Sequence, residues 1–140
     1  NNDVSNNAIY GKLYNWYTVN DPRNVCPVGW HVPTDAEWTV LTDYLGGVNV
    51  AGGKMKSTGT QYWQSPNLDA TNESGFSGLP GGYRNYLVSF NRVGNRCNWW
   101  SSTEDSQGSA WTYPLHYDTG SVDRNFTTKT SGFSVRCLRD

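Results

Sequence analysis

Cys26-Pro27-Val28-Gly29-Trp30-His31-Val32-Pro33-Thr34-Asp35-Ala36-Glu37-Trp38 is the stretch that decides how the chain is read. Its first part, Cys26–Pro33, predicts a short strand bounded by prolines, because proline has no N–H for a ladder and is confined to strand ends and edges. Its second part is a helix start. Thr34 stands three residues before Glu37, so the Thr34 hydroxyl can accept from the Glu37 amide while the Glu37 carboxylate reaches back. Trp38, Leu41 and Leu45 then recur at helical spacing, and Gly46-Gly47 supplies a C-cap. Trp38 is expected on the buried face, and His31 is expected to be a structural hydrogen-bonding group.

Working outward, Ile9–Val19 alternates loosely and is rich in aromatic and β-branched residues, which predicts a strand region. The polar opening Asn1–Asn7 carries no leader signature and is expected to be a processed end, with residues 1–8 a flexible start. On the other side, Val50–Ser57 predicts a second short helix, weakened by Gly52-Gly53. Trp63–Gly75 reads as an irregular loop, followed by Phe76–Leu79 and the turn Pro80-Gly81-Gly82. From Tyr83 onward strands and turns alternate, with candidate strands at Asn98–Ser102, Ala110–Tyr117, Ser121–Thr128 and Gly132–Leu138. The layout predicts one α+β domain over residues 1–140, with one or two helices against an antiparallel sheet and the N- and C-terminal strands paired.

Composition narrows the function. The net charge of -1 lacks the basic surplus that nucleic-acid or acidic-membrane partners require. No apolar run is long enough to span a bilayer, so no membrane insertion is expected. Only 36% of residues are hydrophobic, yet there are seven Trp and nine Tyr, so a few large aromatics must build the core. Trp99 and Trp111 are expected to be buried along with Trp38. A surface rich in Tyr, Asn, Ser, Thr and Gly also has the composition of a binding surface, in which rigid amphipathic rings sit among adaptable hydrogen-bonding groups.

Cys26, Cys97 and Cys137 are far apart and form no CxxC pair, which argues against a zinc knuckle. Cysteines near opposite ends of a small glycine-rich domain suggest one bridge tying the termini together. Such a bridge implies an oxidising compartment and leaves one cysteine over. His31 and His116 are the only histidines, and neither has partners fixed by spacing for metal or acid–base work. No GxSxG elbow is present. The chain is therefore expected not to be an enzyme.

The ordered series YGKLYNWY (Tyr10–Tyr17), CPVGWHVPTDAEW (Cys26–Trp38), LTDYLGG (Leu41–Gly47), GGKMKSTG (Gly52–Gly59), ATNESGFSGLPGGYR (Ala70–Arg84), WWSSTE (Trp99–Glu104) and GFSVRCLRD (Gly132–Asp140) resembles the Fibrobacter succinogenes major paralogous domain. That family is frequent in surface proteins of Bacteroidetes and Fibrobacter and is similar to the formylglycine-generating-enzyme branch of the C-type lectin fold. The resemblance implies a C-type-lectin-like fold, a Cys26–Cys137 bridge, and a place on a bacterial cell surface or outside the cell. Formylglycine-generating chemistry needs a redox cysteine pair, which Cys97 alone cannot supply. The calcium–sugar tripeptides of C-type lectins, Glu-Pro-Asn and Gln-Pro-Asp, are absent. No cofactor is expected, although a structural calcium ion could be held by oxygens of the 63–75 loop.

The C-terminal part also resembles the variable region of diversity-generating retroelement target proteins, bacterial or phage-encoded. In these, changes at adenines scatter AAC-type Asn codons over many residue types. Between the fixed anchors Trp99–Glu104, Trp111, Leu115, Val122, Arg124, Lys129 and Gly132–Cys137 stand residue types that such codons reach, and Cys97 is explicable in the same way. Strand alternation puts Trp111, Leu115 and Val122 toward the core and turns their neighbours outward. Thr112, Pro114, His116, Asp118, Asp123, Asn125 and Thr127 are thus expected to form one exposed ligand-binding patch. Tyr113, Tyr117 and Phe126 are placed at its rim, and Asn98, Asp105 and Thr128 complete the set. The expected role is an adhesin-like, surface-displayed binding domain for a protein or glycan on another cell or surface. The alternatives are a carbohydrate-binding module and a structural domain without its own ligand.

Overall fold

The capping box forms as its spacing requires. The Thr34 hydroxyl accepts from the Glu37 amide at 3.2 Å, and Glu37 Oε2 accepts from the Thr34 amide at 2.8 Å. Helix α3 follows over Asp35–Tyr44 and stops at Gly46 and Gly47, both with positive φ. Trp38 is 2% exposed and lies in the core beside Leu45. A computed structural model describes residues 3–140. Four helices and seven strands are assigned within them: α1 Val4–Tyr10, α2 Trp16–Val19, β1 Trp30–His31, α3, α4 Val48–Met55, β2 Gly81–Arg84, β3 Phe90–Val93, β4 Arg96–Glu104, β5 Ser109–His116, β6 Asn125–Thr128 and β7 Leu138–Arg139.

The first and last strands do pair. β1 and β7 form an antiparallel two-stranded sheet in which Trp30 faces Arg139 and His31 faces Leu138. Beside them Cys26 and Cys137 are bonded, 111 residues apart in sequence. His31 lies across the same closure, with Nδ1 2.6 Å from Asp140 and Nε2 3.0 Å from Glu37. The larger sheet has the order β3-β2-β4-β5-β6. Its neighbours are antiparallel except at a single parallel contact, Gly82 with Cys97, between β2 and β4. The class is therefore α+β with curled, mostly antiparallel sheets.

Both faces of β4 and β5 are buried. On one face Cys97, Trp99, Tyr113 and Leu115 join Trp38, Trp63, Phe76 and Met55. Tyr113 stacks on Trp38 with ring centres 4.9 Å apart. On the other face Trp100 and Ala110 join Trp16, Val32, Cys26 and Phe133. The indole N–H groups tie this second cluster to backbone: Trp16 Nε1 donates to Ser101 O and Trp100 Nε1 to Tyr14 O.

Several expectations are corrected. Ile9–Val19 is mostly helical, because the side chains of Asp3 and Asn15 accept the free amides at the starts of α1 and α2; only Tyr14 bridges to another segment, at Phe133. Of the expected flexible start, residues 1 and 2 lie outside the described residues, and helix α1 already begins at Val4. Gly132–Leu138 is not one strand but a series of single bridges at Gly132, Phe133 and Ser134 ahead of β7. Trp111 is half-buried, not part of either core. Helix α4 forms two residues earlier than expected and keeps Gly52 and Gly53, because a Cβ on either would overlap the carbonyl oxygen of Ser121 or Asp69. Gly53 donates instead to Gly120 O at 2.8 Å, across the interface.

The 63–75 loop is fastened by an ammonium group. Lys56 is fully buried, and its Nζ donates to the carbonyl oxygens of Leu68, His116 and Thr119 at 2.7, 3.0 and 2.8 Å. All three donors are thus satisfied by backbone from three segments. Burial lowers the Lys56 pKa, with nearby Asp69 opposing. Asn67 further bonds the loop to Ser57 O and Gly59 O. Among the described residues no cluster of three or more His, Cys, Asp or Glu side chains is placed to hold a metal.

Three outcomes follow from this packing. Thiol titration of the unfolded, unreduced chain should find one group, Cys97. In the native protein that group should be unreactive, since Cys97 is fully buried and burial raises its pKa well above the ordinary value. Lys56→Met should destabilise by about 3–5 kcal/mol in denaturant unfolding, because it strands three buried carbonyls. The third outcome concerns pH. Bonds to Asp140 and Glu37 raise the His31 pKa above 6.5, and bonds from Thr34 lower that of Glu37 below 4.5. The His31 contribution is complete below its unfolded pKa and is lost as pH rises through the folded one; that of Glu37 is lost as pH falls. His116 runs the other way, its pKa lowered by burial. The difference in Tm between wild type and His31→Gln should therefore be larger at about pH 5.5 than at about pH 8. An equal difference at both would show that the His31 contacts are not ionic.

Candidate functional site

Strand alternation places the candidate residues, and the two cores decide which of them reach solvent. Thr112 and Pro114 do point away from the Trp38 core, as expected, but the second aromatic cluster and the returning C-terminal chain cover that face. Thr112 is 3% exposed and donates its hydroxyl to Asn125 O, and Pro114 is fully buried. Tyr113 is also buried, stacked on Trp38, with its hydroxyl donating to Asp35 Oδ1 at 2.7 Å. Burial and the Asp35 carboxylate push its pKa up to about 12. Asn98 is buried too, accepting from Arg96 Nε at 2.8 Å. These four residues are corrected from exposed patch to frame.

The remaining candidates reach solvent along the outer edge. β6 is an edge strand of the larger sheet, and its register sets Asn125 opposite Thr112, Phe126 opposite Trp111, Thr127 opposite Ala110 and Thr128 opposite Ser109. Asn125 and Thr127 therefore share a face with His116 and Asp123. His116 Nε2 lies 3.6 Å from Asp123 Oδ2, and Asp123 N–H donates to Pro114 O. Burial, and then nearby Arg96, depress the His116 pKa, so its imidazole is neutral at neutral pH and can both donate and accept. Arg96 faces His116 across the β4–β5 pair, with its guanidinium 5.6 Å from the Tyr83 ring centre. Asp118 is exposed on the turn after β5, whereas Tyr117 is half-buried against the Trp38 core. Asp105 stands apart, in the β4–β5 turn at the other end of β5, accepting from Ser109 Oγ.

On the opposite face of the same edge, Phe126 is 60% exposed and meets Trp111 edge-on at 5.7 Å. Arg124 lies over the Trp111 ring, 3.4 Å from its centre, and donates from Nε and Nη2 to the two oxygens of the Asp35 carboxylate, each at 2.8 Å. That pairing holds the Asp35 pKa below the usual carboxylate range. Sequence reasoning took Arg124 and Trp111 as anchors but missed this bracket. Its signal would have been Asp35 in the first turn of α3, a free carboxylate with no partner on its own helix.

The rim thus gathers His116, Asp123, Asn125 and Thr127 on one face, with Arg96, which was not anticipated. Phe126 and Thr128 lie on the other. Neutral imidazole, carboxylate, guanidinium and amide groups at an open edge can bind a polar ligand. No nucleophile–base–orienter series is assembled among them. The family model of the Fibrobacter succinogenes major domain (Fib_succ_major) matches residues 1–139. No curated protein and no solved structure is matched by the chain. With the match running through both cores and the terminal closure, the chain belongs to the Fibrobacter succinogenes major domain family.

Proposed function

We propose that this chain is a non-enzymatic ligand-binding domain with a C-type-lectin-like frame, displayed on a bacterial surface or secreted. Its β5–β6 rim contacts a protein or glycan on another cell. The observation that carries the reading is the division of the C-terminal segment. Asn98, Thr112, Tyr113 and Pro114 are buried in the frame, while His116, Asp118, Asp123, Asn125 and Phe126 stand at its edge. Edge residues of this kind can change without disturbing either core, which is what diversification by a retroelement needs. The Cys26–Cys137 bridge supports an oxidising, extracellular setting. No helix among the described residues is long and apolar enough to cross a membrane. Carbohydrate binding is the second reading, favoured by the exposed ring of Phe126 backed by Trp111, on which the apolar face of a sugar could stack.

Replacing His116, Asp118, Asp123, Asn125 and Phe126 together with Ser or Ala should shift stability by only about 0.5 kcal/mol per site. Tyr113→Ala alone should cost about 3–5 kcal/mol. The rim variant, compared with wild type on a glycan array and on intact bacterial cells, should lose capture while keeping its melting curve. Retained capture would remove the rim from the site, and a collapsed melting curve would make these residues structural. A reverse-transcriptase gene beside a near-copy of the 3′ coding end is the matching genetic expectation.

A further inference from the structure

At the sheet edge opposite β6, the β2–β3 hairpin and α1 enclose a groove of about 730 Å³. Phe90, Asn91, Arg92 and Val93 all line it. Gly81 and Arg84 of β2 line it as well, so the groove lies over the hairpin and reaches out to the edge of β3. That edge is open: β3 ends the sheet and pairs with β2 only. An unpaired edge offers backbone donors and acceptors to another extended chain.

The walls are apolar and the rim is basic. Val4, Tyr10 and Leu13 form the side opposite β3, and Phe90 and Val93 are each 45% exposed. At the hairpin tip Tyr86, Leu87 and Val88 are exposed as well. Lys12, Arg84 and Arg92 line the groove, and none of them forms an ion pair among the described residues. The one acid there, Asp3, uses Oδ1 to cap α1. Three cations without a carboxylate partner, of which Arg84 donates Nη1 to Thr130 O, stand around an apolar trough, against the -1 charge of the whole chain. Arg92 moreover has φ +65°, a left-handed conformation that an arginine adopts at a cost and that clusters at ligand-binding positions.

We propose that this groove binds an extended acidic segment of a partner protein, which adds as a strand to the free edge of β3 while its carboxylates meet Lys12, Arg84 and Arg92. Its apolar side chains would lie between Tyr10 and Phe90. An anionic polysaccharide would use the cations but neither the backbone edge nor the apolar walls. A second copy of this chain would bring the same three cations face to face.

The probes are a short peptide of alternating valine and glutamate, the matching valine–lysine peptide, and polygalacturonate. The valine–glutamate peptide should bind the intact chain, slow amide exchange at Phe90–Val93, and weaken as salt rises. Lys12→Glu with Arg92→Glu should reduce its affinity about tenfold or more and admit the valine–lysine peptide. Should the double variant fold poorly, Lys12→Glu alone, at an exposed site outside any strand, should give a smaller loss in the same direction. Absence of binding, binding without protection of those amides, or indifference to both charge reversals would overturn the proposal. So would polygalacturonate binding more tightly than the peptide, or self-association of the chain through this hairpin.

Discussion

A strand pair buried on both faces has no side to give to solvent, and β4–β5 is such a pair. Trp99 and Tyr113 face one aromatic cluster, and Trp100 and Ala110 face another, so two cores share a single sheet as their common wall. The arrangement suits a chain with few aliphatic residues, since each large ring removes much apolar surface from water. It also dictates the rest of the fold. The second face must be covered, and most of its cover comes from the two ends: α2 with its Trp16, the stretch through Val32, and the segment through Phe133 that runs back to Cys137. The β1–β7 pairing and the Cys26–Cys137 bond hold those ends over the sheet.

Burying so much irregular backbone creates a second demand, because each carbonyl taken out of water needs a donor. Two lysines meet it. Lys56 gathers three carbonyls from the 63–75 loop, the end of β5 and the turn after it. Lys129, 4% exposed, pairs with Glu104, donates to Gln107 O and lies over the Trp16 ring. In a chain with few regular elements, such groups do the work that a metal ion does in other loop-rich domains. They also tie the loops they fasten to the frame, which suits the proposed edge-mounted binding surface.

This division of labour gives the functional reading its physical basis. The interior of the C-terminal segment is committed to packing, and the groups that remain adaptable lie where β5 and β6 run out. The Asp35–Arg124–Trp111 bracket ties the start of β6, with its exposed Asn125 and Phe126, back to the first turn of α3. The basic hairpin groove lies at the other edge of the sheet, where no residue of the β5–β6 segment takes part.

What the sequence determined by itself was local or carried by motif: the capping box at Thr34, the glycine stop at Gly46-Gly47, the burial of Trp38 and Trp99, the pairing of first and last strands, and the disulfide that the family resemblance implied. Alternation correctly sorted the faces of β5, since period two is a property of the backbone. Only the tertiary structure decided what covers each face. Thr112 and Pro114 point where alternation says they must, and they are buried on the face that Trp100 and Ala110 share with Trp16 and Phe133, which arrive from distant parts of the chain. The helical state of Val4–Tyr10, where a flexible start running into a strand at Ile9 was expected, is capped by the side chain of Asp3. The Lys56 cluster joins residues 12, 60 and 63 positions away. No window along the sequence contains such partners, because burial and buried hydrogen bonding are set by neighbours in space.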